Sequence, residues 1–206
     1  MTTIDVKLQR VQARIEAASA QYGRDPGSVR LLAVSKTFPA EALREAHSAG
    51  QKAFGENYVQ EGVAKIEALA DLRADLEWHC IGPLQSNKTR VVAEQFDWVH
   101  SVDRLKIAER LSEQRPHGLP PLQVCLQVNL DGGANKSGVP PAEALALARA
   151  VNALPRLRLR GLMAIPEPAA AFEDQLGLFR QAAALFDALR ADGLALDTLS
   201  LGMSAD

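Results

Sequence analysis

Lys36 follows Leu31-Leu32-Ala33-Val34-Ser35, an almost wholly apolar run of strand-like composition, and stands at its C-terminal end. In α/β folds that is the end where ligands bind. Side chains alternate along a strand, so Leu32, Val34 and Lys36 share one face, and the ammonium is expected to project over a hydrophobic interior. Partial desolvation favours a neutral amine, the nucleophile that condenses with an aldehyde to form a Schiff base. The plainer alternative is a lysine that reaches past the strand end into solvent.

Other strand ends carry groups that could complete such a site. The second strand runs into Phe54-Gly55-Glu56-Asn57, the third ends Trp78-His79-Cys80-Ile81-Gly82, and the seventh ends Gly202-Met203-Ser204. Glycine at a strand end lets backbone N–H groups approach an anion, and a neighbouring hydroxyl adds a donor. Gly202–Ser204 therefore reads as half of a phosphate cradle, of the kind barrels build in the loops after strands seven and eight. Each glycine alone reads first as a turn residue. Asn57 alone could equally start a helix or serve as a core amide.

Familiar motifs are missing: the chain has no GxGxxG, CxxC, GxSxG or HExxH. His47, His79, His100 and His117 are scattered, with no pair at metal-ligand spacing. Gly132-Gly133-Ala134-Asn135-Lys136-Ser137-Gly138 has Asn135 where a phosphate-binding loop requires glycine before its lysine, and it reads as a loop after the fifth strand. Cys80 and Cys125 lie in apolar strand-like segments and read as small buried thiols, with no disulfide or metal role.

The elements that must position these groups alternate regularly. Ile4, Leu8, Val11, Ile15 and Ala18 form one apolar stripe on an N-terminal helix, stopped by Gly23 and Asp25-Pro26-Gly27. Strand-like runs follow at Val29–Ser35, Ala53–Gly55, Leu76–Gly82, Trp98–Val102, Leu122–Leu130, Leu157–Ile165 and Thr198–Met203. Helix-length stretches separate them at Pro39–Ala49, Glu56–Ala70, Asn87–Gln95, Asp103–Gln114, Pro140–Leu154 and Ala169–Asp192. In the last of these Phe172, Leu176, Phe179, Phe186 and Leu189 predict a broad core-facing stripe.

A strand and a helix every ~25–30 residues is the pattern of βαβ units in a parallel sheet. The expected fold is α/β, a (β/α)8 TIM barrel with an extra N-terminal helix, in one domain over residues 1–206. The seventh strand falls just before Asp206, so the eighth β/α unit is expected to be missing from this chain. An open doubly wound sheet, which tolerates free edges, is the competing architecture.

Composition narrows the function classes. The 206 residues hold 23 basic and 25 acidic side chains, a formal net charge of −2, which removes the usual electrostatic case for a nucleic-acid or anionic-membrane partner. Lys88 and Arg90 form one short basic spot that reads as a solvated helix face. No apolar run approaches the roughly 18 residues of a membrane-spanning helix, and the N-terminus lacks a signal peptide's apolar stretch. A cytoplasmic location is expected.

Taken together, Ala33-Val34-Ser35-Lys36, Phe54-Gly55-Glu56-Asn57, Gln60-Glu61, Trp78-His79, Ile81-Gly82, Leu84-Gln85-Ser86-Asn87-Lys88, Ser101-Val102-Asp103, Gln127-Val128-Asn129, Lys136-Ser137-Gly138, Gly161-Leu162-Met163 and Gly202-Met203-Ser204 resemble the pyridoxal phosphate homeostasis protein family, also called YggS/PROSC. The motifs run in order over essentially the whole chain. The resemblance implies a barrel of the alanine racemase N-terminal type holding pyridoxal 5'-phosphate (PLP) as a Schiff base. The family's lysine falls on Lys36, its asparagine near the cofactor on Asn57, and its phosphate-side pair on Met203 and Ser204.

Two departures stand out. Family members continue into a strand with an Arg-x-Gly-Thr type motif, which this chain does not contain, and Asp131-Gly132-Gly133-Ala134 stands where relatives often carry a glutamate. The family is regarded as a regulator of cofactor and amino-acid balance. A monomer that carries PLP, with apo-PLP enzymes as recipients and no substantial turnover, is therefore the leading expectation. The alternative is a PLP-dependent racemase, decarboxylase or lyase. Racemisation would need a second acid/base on the opposite face of the cofactor, which related racemases take from an additional domain.

Overall fold

Seven strands alternate with helices along the computed structural model, which describes residues 3–132, 137–167 and 171–202. The expected phosphate-side residues Met203 and Ser204 lie outside the described residues. The chain divides into two compact units, Met1–His79 and Cys80–Asp206.

In the first unit, α1 (Thr3–Gln21) precedes β1 (Ala33–Val34), α2 (Ala40–Ser48), β2 (Ala53–Glu56), α3 (Val59–Ala68) and β3 (Glu77–Cys80), whose last residue begins the second unit. α1 stops where expected: Gly23 takes a left-handed φ of 62°, and the Asp25 carboxylate accepts the Gly27 N–H at 2.9 Å. Of its apolar stripe Ile4, Leu8, Val11 and Ile15 are half-buried and Ala18 is exposed, and the one buried position is Ser19. β1 and β2 pair in parallel, with Ala33 opposite Phe54 and Val34 opposite Gly55. Leu43, Phe54, Ile66, Leu69 and Trp78 make the core of this unit, all buried. Glu77 fixes the start of β3: both its oxygens accept from Arg30 at 3.1 Å, and its Oε1 lies 2.9 Å from His79 Nε2.

The second unit holds α4 (Thr89–Gln95), β4 (Trp98–Val102), α5 (Leu105–Gln114), β5 (Leu122–Gln127), α6 (Pro141–Asn152), β6 (Leu157–Met163), α7 (Phe172–Ala191) and β7 (Thr198–Ser200). β4, β5, β6 and β7 pair in that order, every pair parallel, as successive βαβ crossovers require. Gly161 allows β6 and β7 to close up, because a Cβ there would collide with the Thr198 carbonyl oxygen. Trp98, Cys125 and Met163 pack together inside the sheet, and Arg160 lies 4.7 Å over the Trp98 ring.

Two expectations change. β1 is confined to Ala33–Val34 where Val29–Ser35 was expected, because only those two residues join the ladder. In α7 the broad stripe is partial: Leu189 is buried, Leu176, Phe179 and Phe186 are half-buried, and Phe172, the residue that opens the helix, is 73% exposed. The cysteines behave as read. Both are free and buried, and burial pushes each thiol up to about 12. Among the described residues no helix is long and apolar enough to cross a membrane, and no cluster of three or more His, Cys, Asp or Glu could hold a metal ion.

Candidate functional site

The C-terminal end of β1 turns sharply. Just past the strand, Ser35 donates its N–H to the Gly55 carbonyl at 2.9 Å, and the Phe38 N–H then closes back on the Ser35 carbonyl at 3.0 Å. Lys36 and Thr37 are therefore the two central residues of a four-residue turn. Thr37 adopts φ 67°, the one left-handed non-glycine among the described residues. A β-branched residue there is a genuine outlier and costs on the order of 1–3 kcal/mol, so the surroundings must hold it.

A buried ionic cluster does so. Lys65, on the apolar side of α3 with Val59, Gly62 and Ile66, sends its ammonium to three acceptors at 2.7 Å: the Ser35 carbonyl, Glu56 Oε1 and Glu61 Oε1. Glu56 Oε1 also accepts from the Ser35 hydroxyl at 2.5 Å, and Glu61 Oε1 accepts from the Thr37 N–H at 2.5 Å. The Lys65 and Glu56 side chains are 6% and 0% exposed. The hydrogen bond from Lys65 holds the Glu61 carboxyl below the usual carboxylate range, helped by the Thr37 N–H and opposed by desolvation. Glu56 Oε2 is buried and has no hydrogen-bond partner among the described residues.

Lys36 itself is exposed, and this corrects the expected apolar surroundings of its amine. Val34, on the same face of β1, is 47% exposed, so that face is not covered among the described residues, in which β1 pairs with β2 alone. Asn57 is half-buried and lies two residues beyond Gly55, as Lys36 lies two beyond its partner Val34. The parallel register thus brings the two expected site residues to the same end of neighbouring strands. In the second unit, Gly202 has φ 111°, a conformation that favours glycine, and Ser200, two residues before it, shares a 2.8 Å hydrogen bond with His100 Nδ1. Met203 and Ser204, which follow, are not described.

Reading strand ends for reactive groups passed over Lys65. A signal was present: a lysine on the apolar stripe of a helix, four residues after an acid, is placed to pair with that acid, and pairing is what lets a lysine be buried. Ser35, Glu56 and Glu61 belong to the motifs quoted above, although their roles were not legible there.

Residues 6–206 match the family model described as the alanine racemase N-terminal domain. The pyridoxal phosphate homeostasis protein of Pseudomonas aeruginosa is 61% identical over 206 residues, which cover all of this chain and 87% of that protein. Among solved structures, PipY of Synechococcus elongatus PCC7942 with PLP bound superposes with a TM-score of 0.79 at 44% identity, covering 93% of this chain and 90% of that one. An alanine racemase of Clostridium difficile superposes with a TM-score of 0.70 at 15% identity, covering 86% of this chain and 47% of that one, a likeness of fold alone.

Proposed function

This chain belongs to the alanine racemase N-terminal domain family, on its pyridoxal phosphate homeostasis branch, and from that premise we propose that it binds PLP reversibly through Lys36 and serves the balance of that cofactor in the cell. Its alternation of strands and helices is that of an α/β fold, as the family match implies. One observation carries the choice of lysine. Two lysines meet at the end of β1: Lys65 is buried with each of its three hydrogen-bonding directions taken, whereas Lys36 is exposed and has no hydrogen bond or ion pair among the described residues. Only the second is available to a soluble aldehyde.

The donor chemistry fits the cofactor on this side of the site. When bound, PLP supplies an aldehyde carbon to which a primary amine adds with loss of water. Lys36 presents that amine from a turn whose backbone is fixed. Asn57, at the matching position after β2, offers an amide that can donate and accept beside it. Met203 and Ser204 are proposed for the phosphate, on the family resemblance.

The role is carriage and release, with no turnover of its own. The curated relative is named for homeostasis, and its 61% identity outweighs a 15% likeness to a racemase. We extend the proposal to a cytoplasmic monomer that passes PLP to apo-enzymes.

The test is covalent capture. The full-length protein and its Lys36→Ala variant are mixed with PLP, reduced with borohydride, and mapped by peptide mass spectrometry. Label on the Lys36 peptide, lost in the variant, is expected; equal labelling of both proteins at another lysine would overturn the assignment.

A further inference from the structure

We infer that Glu61 and Lys65 are positioning residues for Lys36, and that the buried cluster exists to fix the backbone on both sides of that residue. The inference rests on the proposed role of Lys36 and adds the device that aims it. A lysine side chain is long and flexible, so the reach of its ammonium depends first on how its own backbone is oriented. That orientation is set by two rotations, φ and ψ of Lys36, which relate the peptide plane before it to the plane after it.

The cluster holds both planes. The carbonyl of the preceding peptide, Ser35–Lys36, accepts from Lys65 Nζ at 2.7 Å. The N–H of the following peptide, Lys36–Thr37, donates to Glu61 Oε1 at 2.5 Å. Lys65 and Glu61 are joined to each other at 2.7 Å, so the two grips form one unit, and Glu56 anchors that unit to the end of β2. Neither side chain bonds to Lys36 itself among the described residues. The left-handed φ of Thr37 is the conformation the grip maintains.

A purely structural cluster would serve the stability of the unit and nothing more. Three features argue for more. The groups gripped are the two peptides flanking the proposed reactive residue. The turn they hold is strained at a residue where glycine would be relaxed. The partner of the Thr37 N–H is a charged carboxylate, a stronger acceptor than a backbone carbonyl.

The experiment compares Glu61→Ala, Glu61→Gln and Lys36→Ala with the parent full-length protein. A control, Arg30→Met, breaks an ion pair of the same unit away from the turn. Two quantities are read: protection of the Thr37 amide in hydrogen exchange without PLP, and the rate of borohydride-trapped labelling at Lys36 with PLP. Expected results are loss of Thr37 protection and about a ten- to hundred-fold slower capture in Glu61→Ala. Glu61→Gln, which keeps an acceptor for that N–H but loses the charge, recovers both in part, to values between those of Glu61→Ala and the parent.

In a Thr37→Gly background, which also secures a folded protein, Glu61→Ala lowers capture about two-fold or less, because glycine needs no grip to hold that φ. Capture slowed equally by Arg30→Met and Glu61→Ala, or unchanged in Glu61→Ala, overturns the inference. Persistent labelling in Lys36→Ala overturns instead the assignment of Lys36, so the two failures are distinguishable.

Discussion

Replacing Lys65 with methionine keeps most of the side chain's length and removes its charge. In the parent protein that charge faces Glu56, whose side chain is fully buried, and Glu61, which is 27% exposed. After the substitution Glu61 can turn to water, but Glu56 is left buried with no cation and only the Ser35 hydroxyl as donor. Breaking a buried pair in this way costs about 3–5 kcal/mol, because the remaining ion keeps its desolvation penalty without compensation.

Removing both charges behaves differently. The Lys65→Met Glu56→Gln double variant has no buried ion, and it should recover about 0.5–3 kcal/mol of the single variant's loss, the range of coupling between contacting groups. Urea unfolding followed by circular dichroism measures both, with the midpoint read at constant slope. A loss below about 1 kcal/mol in the single variant, or a double variant no more stable than the single, would refute the claim that Lys65 is what makes Glu56 tolerable in the core.

Two further outcomes concern Glu77 and the cysteines. Glu77 has its carboxyl pulled from 4.5 to about 2, chiefly by the His79 hydrogen bond and then by Arg30, against desolvation. Its folded value lies below its unfolded one, so its contribution to stability is present above about pH 4.5 and is lost as the pH falls toward about 2. Glu77→Gln should flatten that part of the acid limb in a pH series of thermal melts, and an unchanged limb would contradict the assignment. Cys80 and Cys125, each with a thiol raised to about 12, should resist alkylation in the native protein at pH 8 and react on unfolding, as a thiol-reactive dye will report.

The repeating alternation of strand and helix was legible because hydrophobic periodicity is a local property, and every expected strand and helix is present in the structure. Lengths were less legible. Leu31 and Leu32 have strand composition, yet the ladder admits only Ala33 and Val34, because pairing depends on a neighbour that composition does not show. Lys36 was found from its place at a strand end; whether its amine lies over an apolar interior or reaches into solvent was left open by the sequence, since that depends on what covers β1. Lys65 escaped notice for a related reason. Its burial follows from where α3 lies against β2, and only tertiary packing joins an acid on a strand to a lysine nine residues later.

The rim that β1 presents opposite β2 has no ladder partner among the described residues. A long bare rim recruits foreign strands and seeds aggregates. At two residues, this one offers too few successive donors and acceptors to template a stable cross-chain ribbon, and the turn at Lys36 and Thr37 bends the backbone away before another rung can form. The abrupt corner that presents the amine therefore also ends the run of rungs available along that rim after two residues.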